Sequence, residues 1–308
     1  MLVSVIIPTY KRTTYLKIAL DSVLKQTYGN FEILVVNDFP PMEEEIDQLV
    51  AEFNDSRIKL IHHEENGGES ASRNTALTYV KGEIVALLDD DDIWEPTFLE
   101  KHVAKHQERP EVGFVYCGYV RFWDDDVLGK QVRPAVPSPD DMYTAMLTGK
   151  FVMASSSLIS IKKECFDECG NFDRNLPSFA DWDMWVRIAQ KYPFAHVEEP
   201  LTLYRHHLGV RGSTDIEKRL RGIEVISQKW KHVEAFSGYR RKLKVRAYFN
   251  EIRNEVMRGR RGNGFRLLMD CVKRCGSEIP PNFKPFMKAV FVLMFGKVYL
   301  AGHRKVYS

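Results

Sequence analysis

The chain has 308 residues, 44% apolar and 28% charged, which is ordinary for a globular protein and long enough for one large or two ordinary domains. The formal charge of +2 hides an asymmetry: 22 of the 44 Lys+Arg but only 8 of the 42 Asp+Glu lie from Asp215 onward, a balance of +14 there against −12 before it. Five cysteines, with Cys165/Cys169 and Cys271/Cys275 at C-x-x-x-C spacing, exclude a disulfide framework and match neither a zinc ribbon nor a C-x-x-C motif, so they read as free thiols in a reducing compartment.

The first segment, MLVSVIIPTY, has no charged lead and no cleavage site and is expected to be a strand, not a signal peptide. Its core LVSVIIP is a continuous β-branched run, which suits a strand buried on both faces. TTYLKIALDSVLKQ follows with Leu16, Ala19, Leu20, Val23 and Leu24 at helical spacing. FEILVVND reads as a second strand, MEEEIDQLVAEF as a helix, RIKLIHH as a third strand and GGESASRNTALTYVKG as a glycine-opened helix. EIVALL is the fourth strand. Strand alternating with helix four times predicts a parallel sheet with helices on its faces, and such sheets bind ligands at the carboxyl ends of their strands. Those ends carry Pro8-Thr9-Tyr10, Asn37-Asp38, His62-His63 and Asp89 to Asp92, which are expected to share one edge and form one site.

The middle is less regular. VGFVYCGYVRFW and FVMASSSLISI predict strands, RPAVPSPDD a loop, FADWDMWVRIAQKY a helix start with acids suited to the helix dipole, and PLTLYRHH a final short strand. After about Thr214 three segments are helical in period and rich in Arg and Lys: residues 215–236, 238–259 and 263–275. The closing segment carries an apolar run from Ala289 to Phe295, interrupted by Lys297 and too short to span a bilayer.

Four adjacent aspartates repel one another, so their place at the end of a buried strand calls for a positive partner. Alone, an acidic run is an ordinary solvated turn; here it continues a strand and is followed by Trp94. Carboxylates so placed suit a hard divalent cation, Mg²⁺ or Mn²⁺, which takes oxygen ligands and bridges to substrate phosphates. Asp89-Asp90-Asp91 has the pattern D-x-D. No G-x-x-x-x-G-K-[ST] occurs, which excludes a P-loop ATPase.

In order, VSVIIPTYKR, LKQTYGNFEILVVND, NGGESASRNTAL, GEIVALLDDDDIW, FADWDMWVRIA and LYRHH resemble the motifs of glycosyltransferase family 2, inverting nucleotide-sugar enzymes of the GT-A fold, over residues 2 to 210. The resemblance implies an α/β fold, a Rossmann-like, mostly parallel sheet flanked by helices; the basic helical C-terminal extension beyond it is read from charge balance and helical period alone. With the change of charge and period after about Thr214, the chain is expected to divide into a catalytic domain at 1–212, with a nucleotide-sugar half at 1–110 and an acceptor half at 111–212, and a basic helical region at 213–308. The resemblance also implies roles. Asp38 would hydrogen-bond the uracil of a UDP donor, with Pro8, Thr9 and Tyr10 forming the wall of the base pocket; Tyr10 also reads as a half-buried aromatic at a strand end. The family continues with two acids and Gly-Ser, whereas this chain reads Asn37-Asp38-Phe39-Pro40. Arg12 reads as a phosphate contact or as a charge at a helix end. Gly67 and Gly68 would permit close backbone approach to the ligand. Arg73 would face the nucleotide, pair with the aspartate row, or both. Asn74 is expected to be structural. Asp91 is the expected direct metal ligand, with Asp89 on the donor ribose or on the metal through water, Asp90 a weaker donor-site candidate, and Asp92 structural. Asp181 matches the catalytic base, although Ala180 stands where the family has glutamate, and an aspartate there also caps helices well. Asp183 reads as a first-turn acid before it reads as an acceptor contact. Tyr-Arg-x-His selects His207 as the residue near the diphosphate or metal, His206 is expected to be structural, and His62 and His63 have no motif behind them.

The function these residues imply is transfer of a sugar from a nucleotide-sugar, a UDP-sugar by preference, to a saccharide or lipid-linked saccharide. A nucleotidyltransferase would carry a glycine-rich loop after the first strand, and PTYKRTTYL has no glycine. A catalytically inactive, sugar-nucleotide-binding or scaffold relative is the other reading; the departures at Asn37 and Ala180 allow it, and Asp91 and Asp181 speak against it. The basic tail, with lysines and aromatics interleaved in KPFMKAVFVLMFGKVYLAGHRK, reads as peripheral contact with an anionic membrane on its cytoplasmic face or as helices packed on the catalytic domain. No nucleic-acid-binding motif is recognisable, so no nucleic-acid partner is expected.

Overall fold

The computed structural model describes residues 1–123, 131–206 and 216–275, together with Val290. The amino-terminal half alternates as the periodicity predicts. Strands β1 (Val3–Thr9), β2 (Phe31–Asn37), β3 (Ile58–His62) and β4 (Ile84–Leu87) are separated by helices α1 (Thr13–Leu24), α2 (Glu43–Phe53) and α3 (Glu69–Leu77). β1 lies parallel to both β2 and β4, and β3 adds parallel to β2. Val3, Val5, Ile6, Ile33, Leu34, Val35, Ile84 and Leu87 are fully buried, as a sheet covered on both faces requires.

Beyond the aspartates come β5 (Ile93–Trp94), α4 (Phe98–Glu108), β6 (Phe114–Trp123), β7 (Gln131–Arg133), α5 (Met142–Leu147), β8 (Ile159–Lys162), α6 (Lys163–Cys169), α7 (Ala180–Ala189) and β9 (Phe194–His206). Among the described residues the sheet has nine strands in the order β3-β2-β1-β4-β8-β6-β9-β5, with β7 on β6. Strands β8, β5 and β7 run against their neighbours, so six of the nine point one way. This mixed, mostly parallel sheet flanked by helices is the GT-A architecture expected from the sequence.

Two expectations change in the middle of the chain. The strand expected over residues 151–161 is confined to β8, because the Ser155 hydroxyl accepts the N–H of Ser157 at 3.0 Å and starts a 3₁₀ turn at Ser156–Leu158. The last strand is longer than PLTLYRHH: β9 begins at Phe194 and crosses Pro200 by an irregularity opposite Cys117–Tyr119.

The basic region forms α8 (Ile216–Lys229), α9 (Glu234–Met257) and α10 (Arg261–Cys275). Ile223, Ile226, Trp230, Phe236, Tyr239 and Leu243 belong to the same core as the sheet, and Trp182 of α7 packs against Trp230, Phe236 and Tyr239 with ring centroids 5.4–6.3 Å apart. A smaller core of Val245, Tyr248, Ile252, Cys271 and Cys275 joins α9 to α10. Phe265, Met269 and Val272 of α10 remain exposed. Among the described residues no helix is long and apolar enough to cross a membrane. The expected boundary at 212/213, His207 and, apart from Val290, the closing apolar run all lie outside the described residues.

Candidate active site

Four strand ends meet on one edge. The N–H of Asp38 donates to Thr9 O at 3.0 Å, that of His63 to Asn37 O at 3.0 Å, and that of Leu88 to Ile6 O at 3.0 Å, so β1, β2, β3 and β4 end side by side. Each strand is apolar until it leaves the sheet, and its first polar residues therefore fall at this rim.

The aspartate row turns there, and three arginines answer it. Arg12, at the start of α1, reaches Asp90 at 3.0 Å and Asp91 at 2.9 Å. Arg73 of α3, only 2% exposed, pairs with Asp89 at 2.9 Å and with Glu69. Arg205 of β9 donates its backbone N–H to Asp92 at 2.9 Å and its Nε–H to the Asp91 carbonyl at 2.8 Å. Thr9 adds a hydroxyl to Asp90 at 2.8 Å, and Ser155 reaches both Asp89 and Asp92 at 3.3 and 3.2 Å. Burial pushes the Asp90 carboxyl up to about 6 despite Arg12, and burial with the Asp91 and Asp89 charges pushes Asp92 well above the carboxylate range. Asp89 is likewise raised by burial and by its acidic neighbours against the pull of Arg73, and it keeps 30% of its side chain exposed. Arg12 thus sits on the row, and Arg73 does what its ion-pair reading expected.

The residues expected to wall a base pocket are also gathered. Tyr10, 40% exposed, meets the ring of Phe39 edge-on at 5.3 Å, and the Lys11 ammonium lies over both rings at 5.0 and 4.2 Å. Pro8 ends the buried run of β1 beside them. Asp38 is 4% exposed and already accepts the N–H groups of Gly67 and Gly68, each at 2.8 Å, and His63 Nδ1 at 2.8 Å. His63 continues to Thr75 at 2.9 Å. The glycines are therefore needed first for the fold: a Cβ on Gly67 would stand 2.8 Å from that of Ala71, and Gly68 has φ +81°. Asn74 exchanges two hydrogen bonds with Phe172, at 2.8 and 3.0 Å, and is structural as expected.

Asp181 stands half-buried in the first turn of α7, after Phe179, whose φ of 67° is strained for a residue with a side chain. Its charge acts on Arg73, Asp89, Glu69 and Arg219, so the structure brings the lone carboxylate to the Asp89 end of the row. Asp183 is fully buried and bonded to Trp230 Nε1, Lys229 Nζ and Arg187 Nε, each at 2.9 Å, and so belongs to the scaffold. Sequence reasoning gave no role in the site to Phe39 or Arg219 and no motif to His63. His63 had a signal in its strand-end position; Arg219 had none.

For a metal, Asp89 and Asp91 offer the hard carboxylate oxygens that a divalent cation takes, so the donor chemistry fits. Among the described residues, the His/Cys/Asp/Glu atoms that converge in threes within 4.8 Å are those of Glu43, Asp47 and His62. There the Asn37 amide donates to His62 Nδ1 at 3.1 Å, because its oxygen already accepts from Phe39 N, which leaves the proton on Nε2 facing Asp47 at 3.3 Å.

An acidic, arginine-balanced site on the strand-end rim of a GT-A sheet is the frame of an enzyme that handles an anionic ligand. Residues 4–170 match the model of glycosyl transferase family 2, more than half of the chain. The chain belongs to glycosyltransferase family 2. It is 39% identical over 133 residues to the UDP-Glc:alpha-D-GlcNAc-diphosphoundecaprenol beta-1,3-glucosyltransferase WfgD of Escherichia coli, a match that covers 43% of this chain and 51% of that relative. Among solved structures, TarS 1-349 of S. aureus in complex with UDP-GlcNAc is similar at TM-score 0.53 and 17% identity, over 98% of this chain and 92% of that one. The mannosyltransferase PcManGT of Pyrobaculum calidifontis, in complex with GDP-Man and Mn²⁺, is similar at TM-score 0.53 and 18% identity, over 96% and 87%.

Proposed function

We propose that this chain transfers a sugar, with inversion, from a UDP-sugar to a saccharide or lipid-linked saccharide. The observation that carries the reading is a carboxylate row at the end of β4 with the separate carboxylate of Asp181 within electrostatic reach of it. The activity in the name of WfgD and the UDP-GlcNAc bound to TarS support the donor and acceptor classes.

The Asp181 carboxylate takes the proton of the acceptor hydroxyl as its oxygen attacks the anomeric carbon. The new C–O bond forms on the face opposite the leaving diphosphate, the anomeric C–O bond to phosphate breaks, and UDP departs. Asp91 and Asp89, with His207, would hold a divalent cation, Mn²⁺ or Mg²⁺, whose chemistry is to neutralise charge on the leaving diphosphate. Arg12 and Arg73 supply fixed positive charge beside the row, Asp90 with Thr9 orients Arg12, and Tyr10 and Phe39 offer the base an aromatic wall. Asp38 has three internal donors, so one of a carboxylate's roughly four acceptor positions remains for the uracil N–H. Polysaccharide assembly at the cytoplasmic face of an anionic membrane fits the +14 tail and the exposed Phe265, Met269 and Val272 of α10.

A thermal-shift and UDP-release screen of UDP-glucose, UDP-N-acetylglucosamine, UDP-galactose and GDP-mannose, each with and without Mn²⁺, tests this. A metal-dependent rise in melting temperature with one uridine donor, lost in Asp91→Ala, is expected. No shift with any nucleotide moves the chain to the inactive, scaffold reading. Flotation with phosphatidylglycerol vesicles tests the membrane contact, and protein that stays at the bottom of the gradient rejects it.

A further inference from the structure

Beside the aspartate row the rim holds a second polar network, centred on Asp38. Its two carboxylate oxygens are unequally filled. Oδ1 accepts the Gly67 N–H and meets His63 Nδ1, each at 2.8 Å. Oδ2 accepts the Gly68 N–H at 2.8 Å and has no second donor among the described residues. A carboxylate offers about two acceptor positions on each oxygen, so Oδ1 is full and Oδ2 keeps one open. A carboxylate only accepts, so the His63 ring donates from Nδ1. In the neutral ring Nε2 then accepts from the Thr75 hydroxyl, at 2.9 Å. The His63 backbone is fixed as well, through its N–H on Asn37 O at 3.0 Å. Strand end, ring and helix α3 together hold one orientation of the imidazole against Asp38.

We propose that His63 is a positioning residue that sets the choice of donor base: by filling Oδ1 it leaves Asp38 a single open acceptor, which suits a base with one N–H and penalises a base with two. The proposal rests on Asp38 facing the base of the donor. Uracil presents one N–H between two carbonyls. Guanine presents a ring N–H and an adjacent amino group, a pair that a carboxylate with both oxygens open accepts together. With Oδ1 occupied, the second guanine donor meets a filled oxygen and is buried without a partner, and a site discriminates strongly against a ligand whose polar group it leaves unpaired. The two glycines hold the carboxylate through backbone N–H groups that nearly any residue would offer. His63 supplies the third donor, the one that comes from a side chain, and its loss returns an acceptor to Oδ1. The His63 side chain is only 14% exposed, so it acts on the base through Asp38.

Isothermal titration calorimetry of the full chain with UDP and with GDP, Mn²⁺ present throughout, reads the preference as a ratio of dissociation constants. The parent should prefer UDP, and a parent that prefers GDP overturns the proposal outright. His63→Gln carries its amide to the Nε2 position, so it keeps Thr75 and loses the donor to Oδ1; the preference for UDP should fall about 10-fold, the worth of one hydrogen bond to a charged group. His63→Asn puts an N–H at the Nδ1 position and gives up Thr75, and should restore the parent ratio. Thr75→Val, which releases the tautomer, should move the ratio the same way as His63→Gln by a smaller factor and serves if that variant does not fold. A purely structural role would lower the melting temperature of the Gln and Asn variants alike and leave the ratio unmoved. Asp38→Asn separates this role from the reading beneath it. If Asp38→Asn loses the preference while His63→Gln and Thr75→Val keep it, the role of His63 falls alone. If Asp38→Asn keeps the parent ratio, Asp38 does not read the base and this role falls with it. A parent that binds neither nucleotide overturns the donor reading and this role together.

Discussion

The aspartate row and the α7–α8 seam both take charge out of water, and they compensate it differently. At the row, Asp89 to Asp92 meet Arg12, Arg73 and Arg205, and the balance stays incomplete: Asp89 keeps 30% of its side chain exposed and the Asp90 carboxyl is pushed up to about 6 by burial. At the seam, Asp183 is fully buried and filled by Trp230, Lys229 and Arg187. Unfilled carboxylate oxygens at a rim leave something for a ligand to complete, whereas saturated ones only hold helices together. Asp181 and Asp183 stand two residues apart in one helix turn: Asp183 is saturated, and Asp181 is half-buried with no hydrogen bond to its carboxylate among the described residues.

The largest effect should come from breaking the open side. Asp181→Asn should cost about 10²–10⁴-fold in UDP release while leaving the donor-induced rise in melting temperature intact, measured side by side. A variant that loses donor binding as well would place Asp181 with the row instead of opposite it.

Next comes acid. His102 and His106 of α4 are buried beside the Ser160 hydroxyl, at 2.9 and 3.0 Å; burial holds His102 well below the histidine range and His106 down to about 4. The folded state prefers both rings neutral, while the unfolded chain takes up protons near pH 6.5. Their stabilisation is therefore present above about pH 6.5 and is lost as pH falls toward 4, by about 3 kcal/mol for His106 alone. Denaturant melts at pH 7, 5.5 and 4.5 should show this decline, and His106→Gln should flatten it.

Two substitutions at the seam are smaller. Gly222→Ala forces a Cβ against Ser178 and should cost about 1–3 kcal/mol in urea melts, with a loss of turnover that Gly238→Ala, where the Cβ meets open space, does not share. Trp230→Phe keeps an aromatic ring, though a smaller one, and leaves Asp183 Oδ1 without its N–H donor, for about 1–3 kcal/mol. The smallest effect belongs to the surface: Lys25→Ala removes an exposed i,i+4 pair with Asp21 and should change stability by less than about 0.5 kcal/mol. Equal losses at Lys25 and Trp230 would erase the contrast between filled and open charge.

Much of the row was legible beforehand. Buried strands announce themselves as continuous β-branched runs, and a polar residue that follows such a run must lie where the strand leaves the sheet; Thr9, Asp38, His63 and Asp89 are all found there. Less legible was what each polar group does on arrival. Gly67 and Gly68 were expected to clear space for a ligand, and their N–H groups instead close on Asp38. The three serines at 155–157 were expected inside a strand, and Ser155 instead breaks it and reaches the row. Side-chain hydrogen bonds to nearby backbone compete with the ladder, and propensity alone does not say which wins.

By itself, the sequence determined the alternation of β1 to β4 with α1 to α3, the rim on which the acids stand, the family, and the helical character of residues 216–275, since each follows from local periodicity or from a short ordered motif. Tertiary structure decided which acids remain open, that Asp38 is tied to Gly67, Gly68 and His63, and that α8 lies against Ser178 and Phe179. Those contacts join residues 25 to 47 positions apart, such as Asp38 with His63 and Asp183 with Trp230. Contacts of that kind depend on how whole faces pack, and the charge asymmetry that suggested a separate basic tail carries no record of the apolar Ile223, Ile226 and Trp230 face that seats it on the core.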